Sequence, residues 1–373
     1  MKIGVPKEVK VCEERVAITP HAVSILVKNG HSVFIEKSAG VPSGFSDEEY
    51  RTSGAVIYNS AEEVYENSEM ILKVKEPQPS EYKFLKKNQI LFAYLHLANE
   101  KTLTKELLAR KVTSIAYETV QLKDGTLPIL VPMSEIAGKM SIQIAANLLE
   151  NKNGGAGILL SGVVGVPAGK VVILGAGCVG YNAAKIAVGI GANVSVIDKD
   201  INKLRKFDEA FGSKVKTYAA NETILAELVK DTDVLICSIL IPGHKAPKII
   251  TQEMVKSMRK GSVIVDVSID QGGIVETIDR VTTIDNPYFE KYGVLHYSVS
   301  NMPGCVPKTA STALVNESIK YVLSVANKGI VEAVKKDYSL ACGVNTYGGQ
   351  VTNIGVSKAL DIEYCELPSL IGF

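Results

Sequence analysis

One stretch limits the possible folds more than any other: Lys170–Asp198, KVVILGAGCVGYNAAKIAVGIGANVSVID. Val171–Leu174 is an unbroken apolar run, suited to a strand buried on both faces. Gly175-x-Gly177-x-x-Gly180 follows at once. Tyr181–Val188 is predicted as a helix whose Ala183, Ala184 and Ala187 allow close packing on a sheet. Gly191 closes that helix, Val194–Ile197 is a second apolar strand, and Asp198 ends it. Such a strand–loop–helix–strand–acid unit is built to take a dinucleotide. The first glycine makes the tight turn, the second lets the backbone approach a pyrophosphate, and the third lets helix meet strand. The helix N-terminus then offers N–H groups and a positive dipole end to the phosphates. Asp198 stands about 20 residues on, where a carboxylate can bond two ribose hydroxyls and repel a 2′-phosphate. NAD is therefore expected rather than NADP. The plain alternative is a nucleotide-free turn with Asp198 capping the next helix.

Around that unit the chain alternates strand and helix. Met1–Val5, Ser32–Ile35, Ala55–Ile57, Met70–Val74, Gln89–Tyr94 and Thr113–Tyr117 are strand-like. Between them, helices are predicted to start at the caps Thr19-Pro20, Ser46 and Ser60, and over Ser80–Lys87 and Lys101–Arg110. Beyond Pro132 a long helix begins at Ser134. After the nucleotide unit, strands are expected at Val215–Tyr218, Asp233–Leu240, Ser262–Val267 and Val294–Val299, then a helical Thr309–Lys336 and a polar, glycine-rich tail. The expected fold class is α/β: two Rossmann-like, doubly wound parallel-sheet domains with a cleft between them. Residues 131–304 would form the NAD-binding domain, and 1–130 with 305–373 a discontinuous substrate domain.

The 373 residues and 46% hydrophobic content suffice for two cores. A formal charge of +1 argues against a general nucleic-acid binder. MKIGVPKEVK has no apolar leader, and Gly154–Gly180 is too broken by glycine and Pro167 to span a membrane. The six cysteines have no CxxC spacing, so no metal site is expected, and a reducing cytoplasm is the expected compartment.

In open α/β sheets ligands bind beyond the carboxyl ends of strands. The residues delivered there are Lys75, His96, Asp198, Leu240 and Asp270. Each has an ordinary reading as well. His96 could be a core histidine, and Lys75 a surface lysine. Arg15 could be a solvated turn arginine between glutamates, Asp270 a turn cap, and Ser134 a plain helix N-cap. Lys203 could be a surface helix residue.

Several motifs carry a family resemblance: GVPKE with EERVAITP, LKVKEP around Lys75, FAYLHLA around His96 and PMSEIAG around Ser134. After the loop LGAGCVGYNAA come IPGHKAPKII, IVDVSIDQGG and SNMPGCVPKTAST. In this order they resemble the alanine dehydrogenase/pyridine nucleotide transhydrogenase family over nearly the whole chain. The resemblance implies NAD-dependent oxidative deamination of L-alanine to pyruvate and ammonia, run reversibly by a homo-oligomer, typically a hexamer. It implies that Arg15 and Lys75 hold the substrate carboxylate and carbonyl, and that His96 and Asp270 are the catalytic pair. Ser134, Gly175, Gly177, Cys178, Val179, Gly180, Asp198 and Lys203 would bind NAD. Leu240, Val267, Asp270, Asn301 and Met302 would line its nicotinamide half. Lys308, Cys305, Ala220 and Ile274 depart from the family pattern, as does the tail EYCELPSLIGF. Rival readings are a member acting on another small amino or imino acid, a transhydrogenase-type NAD(H)-binding subunit, and a catalytically silent NAD-binding protein.

Overall fold

The structure is a computed structural model that describes residues 1–239 and 247–372, and the backbone alone at 270 and 271. It divides into two compact units, Met1–Met133 with Gly304–Phe373, and Ser134–Pro303.

The first unit begins with β1 (Lys2–Val5), β2 (Ser32–Glu36), β3 (Val56–Tyr58), β4 (Met70–Lys75), β5 (Ile90–Tyr94) and β6 (Thr113–Ala116), all parallel. The second unit holds β7 (Lys170–Leu174), β8 (Asn193–Asp198), β9 (Val215–Ala219), β10 (Val234–Cys237), β11 (Val263–Asp266), β12 (Tyr288–Lys291) and β13 (Val294–Tyr297). The chain then returns to the first unit for β14 (Val344–Tyr347) and β15 (Gln350–Val351). The sheet orders are β15-β14-β6-β5-β4-β1-β2-β3 and β12-β13-β11-β10-β7-β8-β9. Each sheet runs outward in both directions from its first strand. That leaves a topological switch point beside β1 and β4 in one sheet, and beside β7 and β10 in the other. Ligand crevices form at such points, beyond the strand carboxyl ends.

Local chemistry accounts for most helix starts. The Thr19 hydroxyl accepts from Ala22 N–H with Pro20 following. Ser46 with Glu49, and Ser60 with Glu63, form reciprocal capping boxes. In the second unit strand residues alternate between two cores. Val171, Ile173, Val234, Ile236, Val263 and Val265 face one. Val172, Leu174, Leu235, Cys237 and Ile264 face the other. Burial on both faces is why these strands read as continuous apolar runs.

Four expectations need correction. Ser80–Lys87 is not an α-helix. The chain makes a short 3-10 stretch, Pro79–Phe84, because Glu81 turns inward to pair with buried Lys73 at 3.0 Å. The long helix runs Val131–Leu148, so Ser134 lies inside it and is not its N-cap. Pro132 fits the first turn, where its missing N–H costs nothing. The polar, glycine-rich tail, for which no strand was expected, contains two: β14 pairs antiparallel with β6, and Thr346 Oγ1 meets Ser114 Oγ at 2.7 Å. Gly348 and Gly349, both at positive φ, turn β14 into β15. The second sheet is also mixed, since β12 pairs antiparallel with β13. Among the described residues no helix is long and apolar enough to cross a membrane.

His296 gives the second unit a pH dependence. It is fully buried in β13, with Nδ1 2.9 Å from the Val294 carbonyl and Nε2 2.7 Å from Thr277 Oγ1. A carbonyl only accepts, so Nδ1 carries the proton and Nε2 accepts from the hydroxyl. Burial pushes this imidazole down to about 4. The unfolded chain binds the proton near pH 6.5, the folded chain only near 4. The contribution is therefore complete above pH 6.5 and is lost as pH falls to 4. Denaturant unfolding at pH 7.5 and 4.5 should differ by roughly 2–3 kcal/mol on this account, and His296→Gln should remove that difference.

Candidate functional site

In the first unit, the carboxyl ends of β1, β4, β5 and β6 lie side by side. The loop after β1 is tied down rather than free. Val16 N–H donates to Ser311 Oγ at 2.9 Å, and Ser43 Oγ donates to the Glu14 carbonyl at 2.7 Å. Within it Arg15 is 2% exposed, which rules out a solvated arginine. Its Nε and Nη2 donate to the two Glu13 oxygens at 2.7 and 2.6 Å, and Nη1 lies 3.2 Å from Met133 Sδ. This bidentate fork fixes the guanidinium plane. Burial would raise the Glu13 carboxyl, but the Arg15 bonds overcome it and hold the group below its ordinary value.

Lys75 ends β4, in register with Tyr94 of β5. His96 follows two residues later in the left-handed region, at φ 49° and ψ 34°. That conformation costs a non-glycine residue roughly 1–2 kcal/mol. Glu118, just beyond β6, holds it. Both its oxygens reach Leu95 N–H, at 3.1 and 3.2 Å, and Oε1 accepts from His96 N–H at 2.7 Å. The His96 side chain is 44% exposed, so it is not a core histidine. Its ring lies 6.5 Å from Tyr94, whose hydroxyl donates to the Ile129 carbonyl. Arg15, Lys75 and His96 thus belong to one sheet edge. Glu118, Glu76 and Tyr94 were not picked out from sequence, although each is a strand-end residue beside one that was.

In the second unit the three glycines have distinct physical grounds. Gly175 sits at φ 109°, and a Cβ on it would lie 2.8 Å from the Ser238 carbonyl oxygen. A Cβ on Gly180 would lie 2.0 Å from the Gly175 oxygen, so the helix could not approach. A Cβ on Gly177 would meet nothing within 4 Å, and this residue caps the helix Cys178–Gly189. Asp198 Oδ2 accepts from Ala176 N–H at 2.6 Å, and Oδ1 from Asp200 N–H at 2.8 Å. The carboxylate is thereby fixed under the loop, with further acceptor capacity on both oxygens.

A cavity of about 870 Å³ brings together Ser134, Gly175, Gly177, Cys178, Val179, Asp198 and Lys203, with Ala220. Lys199 and Ser238 also line it and were missed. Ser238 follows β10 at the switch point, and its Oγ donates to the Leu174 and Gly175 carbonyls. An open second glycine, a helix start and a fixed carboxylate on one cavity fit a dinucleotide.

Val267, Asn301 and Met302 do not line that cavity. Val267 begins the short turn Val267–Gln271, Asn301 is left-handed at φ 60°, and Met302 is buried in the core with Tyr297 and Val299. Leu240 lies outside the described residues. Asp270 is placed by its backbone alone, in that same turn. Asp266 pins both ends of the turn, accepting from Ser268 N–H at 3.0 Å and Ile274 N–H at 2.9 Å. Burial pushes its carboxyl up to about 6. Lys248 Nζ adds bonds to the Gly272 and Val275 carbonyls at 2.8 and 3.1 Å.

Residues 4–137 match the family model described as alanine dehydrogenase/PNT, N-terminal domain, and residues 141–354 match its C-terminal domain. An alanine dehydrogenase of Methanococcus maripaludis is 56% identical over 364 residues, covering 98% of each chain. One of Bacillus subtilis is 53% identical, covering 98% of this chain and 96% of the relative. A solved structure of an L-alanine dehydrogenase superposes with a TM-score of 0.94 at 46% identity, covering 97% of this chain and 99% of the other.

Proposed function

The chain belongs to the alanine dehydrogenase/PNT family, and from that premise we propose that it oxidises L-alanine with NAD⁺ and water to pyruvate, ammonium, NADH and a proton, reversibly. It is an NAD-dependent amino-acid oxidoreductase. The observation that carries the chemistry is His96, held left-handed and half-exposed on the sheet edge that also delivers Lys75 and carries Arg15.

The substrate must lose an ammonium proton before hydride can leave Cα, and water must later add to the imine carbon. Neutral His96 takes the first proton and releases it to solvent, then takes one from the attacking water and returns it to the departing amine. In reverse, its imidazolium polarises the pyruvate carbonyl. Arg15 pairs with the carboxylate, and Lys75 places a point charge on the carbonyl oxygen. Asp270 completes the catalytic pair. Bound NAD supplies the hydride acceptor. Ser134, Gly175, Gly177, Cys178, Val179, Gly180, Asp198 and Lys203 would hold its adenosine and pyrophosphate parts. Leu240, Val267, Asp270, Asn301 and Met302 would hold its nicotinamide part. In this proposal segments 1–130 and 305–373 bind substrate and 131–304 binds cofactor. The working form is a cytoplasmic homohexamer, as the family resemblance implies.

NADH formation by the purified full chain, with L-alanine, L-serine, glycine or L-2-aminobutyrate, tests this directly. Alanine should give the highest kcat/KM, by about 10–200-fold per methylene changed. NADP should not replace NAD. A better substrate than alanine would overturn the assignment, and a chain that reduces NAD with none of them would point to the transhydrogenase-type or silent readings.

A further inference from the structure

The buried carboxylate of Glu76 has no part in the mechanism above, yet it faces the residue at its centre. Glu76 follows Lys75 at the end of β4, and its side chain is 4% exposed. One oxygen, Oε1, pairs with Lys10 and accepts from Gln78 Nε2 at 3.3 Å. The other, Oε2, is buried and has no hydrogen-bond partner among the described residues. The cationic or donor atom facing it is His96 Nδ1, at 3.8 Å, too long for a hydrogen bond. A buried carboxylate oxygen without a donor is costly, and a hydrogen bond from the half-exposed ring would remove that cost. Catalytic hydrogen bonds are often this loose before substrate binds.

Resting on His96 being the acid–base group, we propose that Glu76 is a positioning residue that sets the tautomer and direction of the His96 ring. An ionised carboxylate can only accept, so the neutral ring must carry its proton on Nδ1. Nε2, at the far side of the ring, is then the basic atom that takes protons from alanine and water. The role is that of a fixed charge and not of a proton carrier. Burial pushes the Glu76 carboxyl up, but His96 and Lys10 outweigh this and hold it at about 2. A group that acidic does not store protons near neutral pH. Lys10 neutralises Oε1, which leaves Oε2 to the imidazole. The Glu118 carboxylate works on the backbone of the same residue, so the main chain and the ring of His96 are held by different acids.

The test compares Glu76→Gln, Lys10→Gln and His96→Ala in the full-length enzyme, with L-alanine and NAD as probes. Glu76→Gln should lower kcat by about 10–100-fold, the usual cost of removing an outer partner of a working histidine, with KM for alanine and the melting temperature little changed. Lys10→Gln breaks the same ion pair from its half-exposed side and should lower kcat by less than about fivefold. In ¹⁵N-histidine spectra of the wild-type enzyme, the signal that vanishes in His96→Ala should show the Nδ1–H tautomer in the neutral ring. Equal losses in the Glu76 and Lys10 variants would reduce Glu76 to a structural ion pair. Unchanged kcat in Glu76→Gln, or an Nε2–H ring in the wild type, would overturn the proposal. Full turnover in His96→Ala would instead overturn the reading on which it rests.

Discussion

Replacing His96 with alanine should lower kcat for alanine oxidation by about 10²–10⁴-fold, the usual contribution of a positioned acid–base group. NAD affinity, read by fluorescence titration, should stay at the wild-type level, because His96 belongs to the unit that does not carry the glycine loop. Stability should stay within about 0.5 kcal/mol of the wild type. The side chain is half-exposed and packs into no core, and the loop conformation is held by Glu118 acting on backbone N–H groups. Alanine accepts that left-handed geometry no better than histidine does, so Glu118 must still hold it. Stopped-flow and steady-state rates together separate a slow chemical step from slow product release. Turnover at the wild-type rate would remove His96 from the mechanism.

Replacing Arg15 with methionine should act on both stability and binding. Arg15 and Glu13 side chains are 2% and 1% exposed and bonded through both carboxylate oxygens. Removing the guanidinium leaves a carboxylate buried without its principal counter-ion, which should cost about 3–5 kcal/mol of folding free energy. It should also raise KM for alanine by removing the anchor for the substrate carboxylate. A second substitution separates the two effects. Arg15→Met with Glu13→Gln removes both charges, so most of the lost stability should return, since replacing a whole buried pair by uncharged groups is often neutral. Affinity for alanine should not return. Urea unfolding and alanine titration of both variants check this, and a double variant that binds alanine normally would make Arg15 a structural residue.

How much was legible in the sequence depends on the range of the interaction. The capping boxes at Ser46 and Ser60 span three residues, so their chemistry can be read directly from spacing. The unit at Lys170–Asp198 is also local, and the tight turn at Gly175 and the close helix approach at Gly180 are the constraints expected of the first and third glycines. Ser80–Lys87 had a helical pattern, but Glu81 satisfied Lys73 instead, and a buried lysine needs that partner more than a surface helix needs another turn. The β14–β15 hairpin carried a visible signal, a Gly-Gly pair beside β-branched residues, but the strand it joins, β6, lies 229 positions upstream at the pairing of Val344 with Ile115. No local pattern encodes that pairing.

The sequence by itself determined the elements and the chemistry they can deliver: a glycine loop between two apolar strands, acids and bases at strand ends, and caps where helices begin. These follow from period, φ preference and short-range hydrogen bonding, which act within a few residues. Only the tertiary structure decided which of those ends are neighbours. With β6 beside β5, Glu118 reaches the main chain of His96, and with β4 on the other side of β5, Glu76 faces its ring. The loop after β1 folds Arg15 into a buried fork with Glu13 rather than into water. The cost of burying a charge is paid or avoided only through partners that strand order brings together, and strand order is a property of the folded sheet.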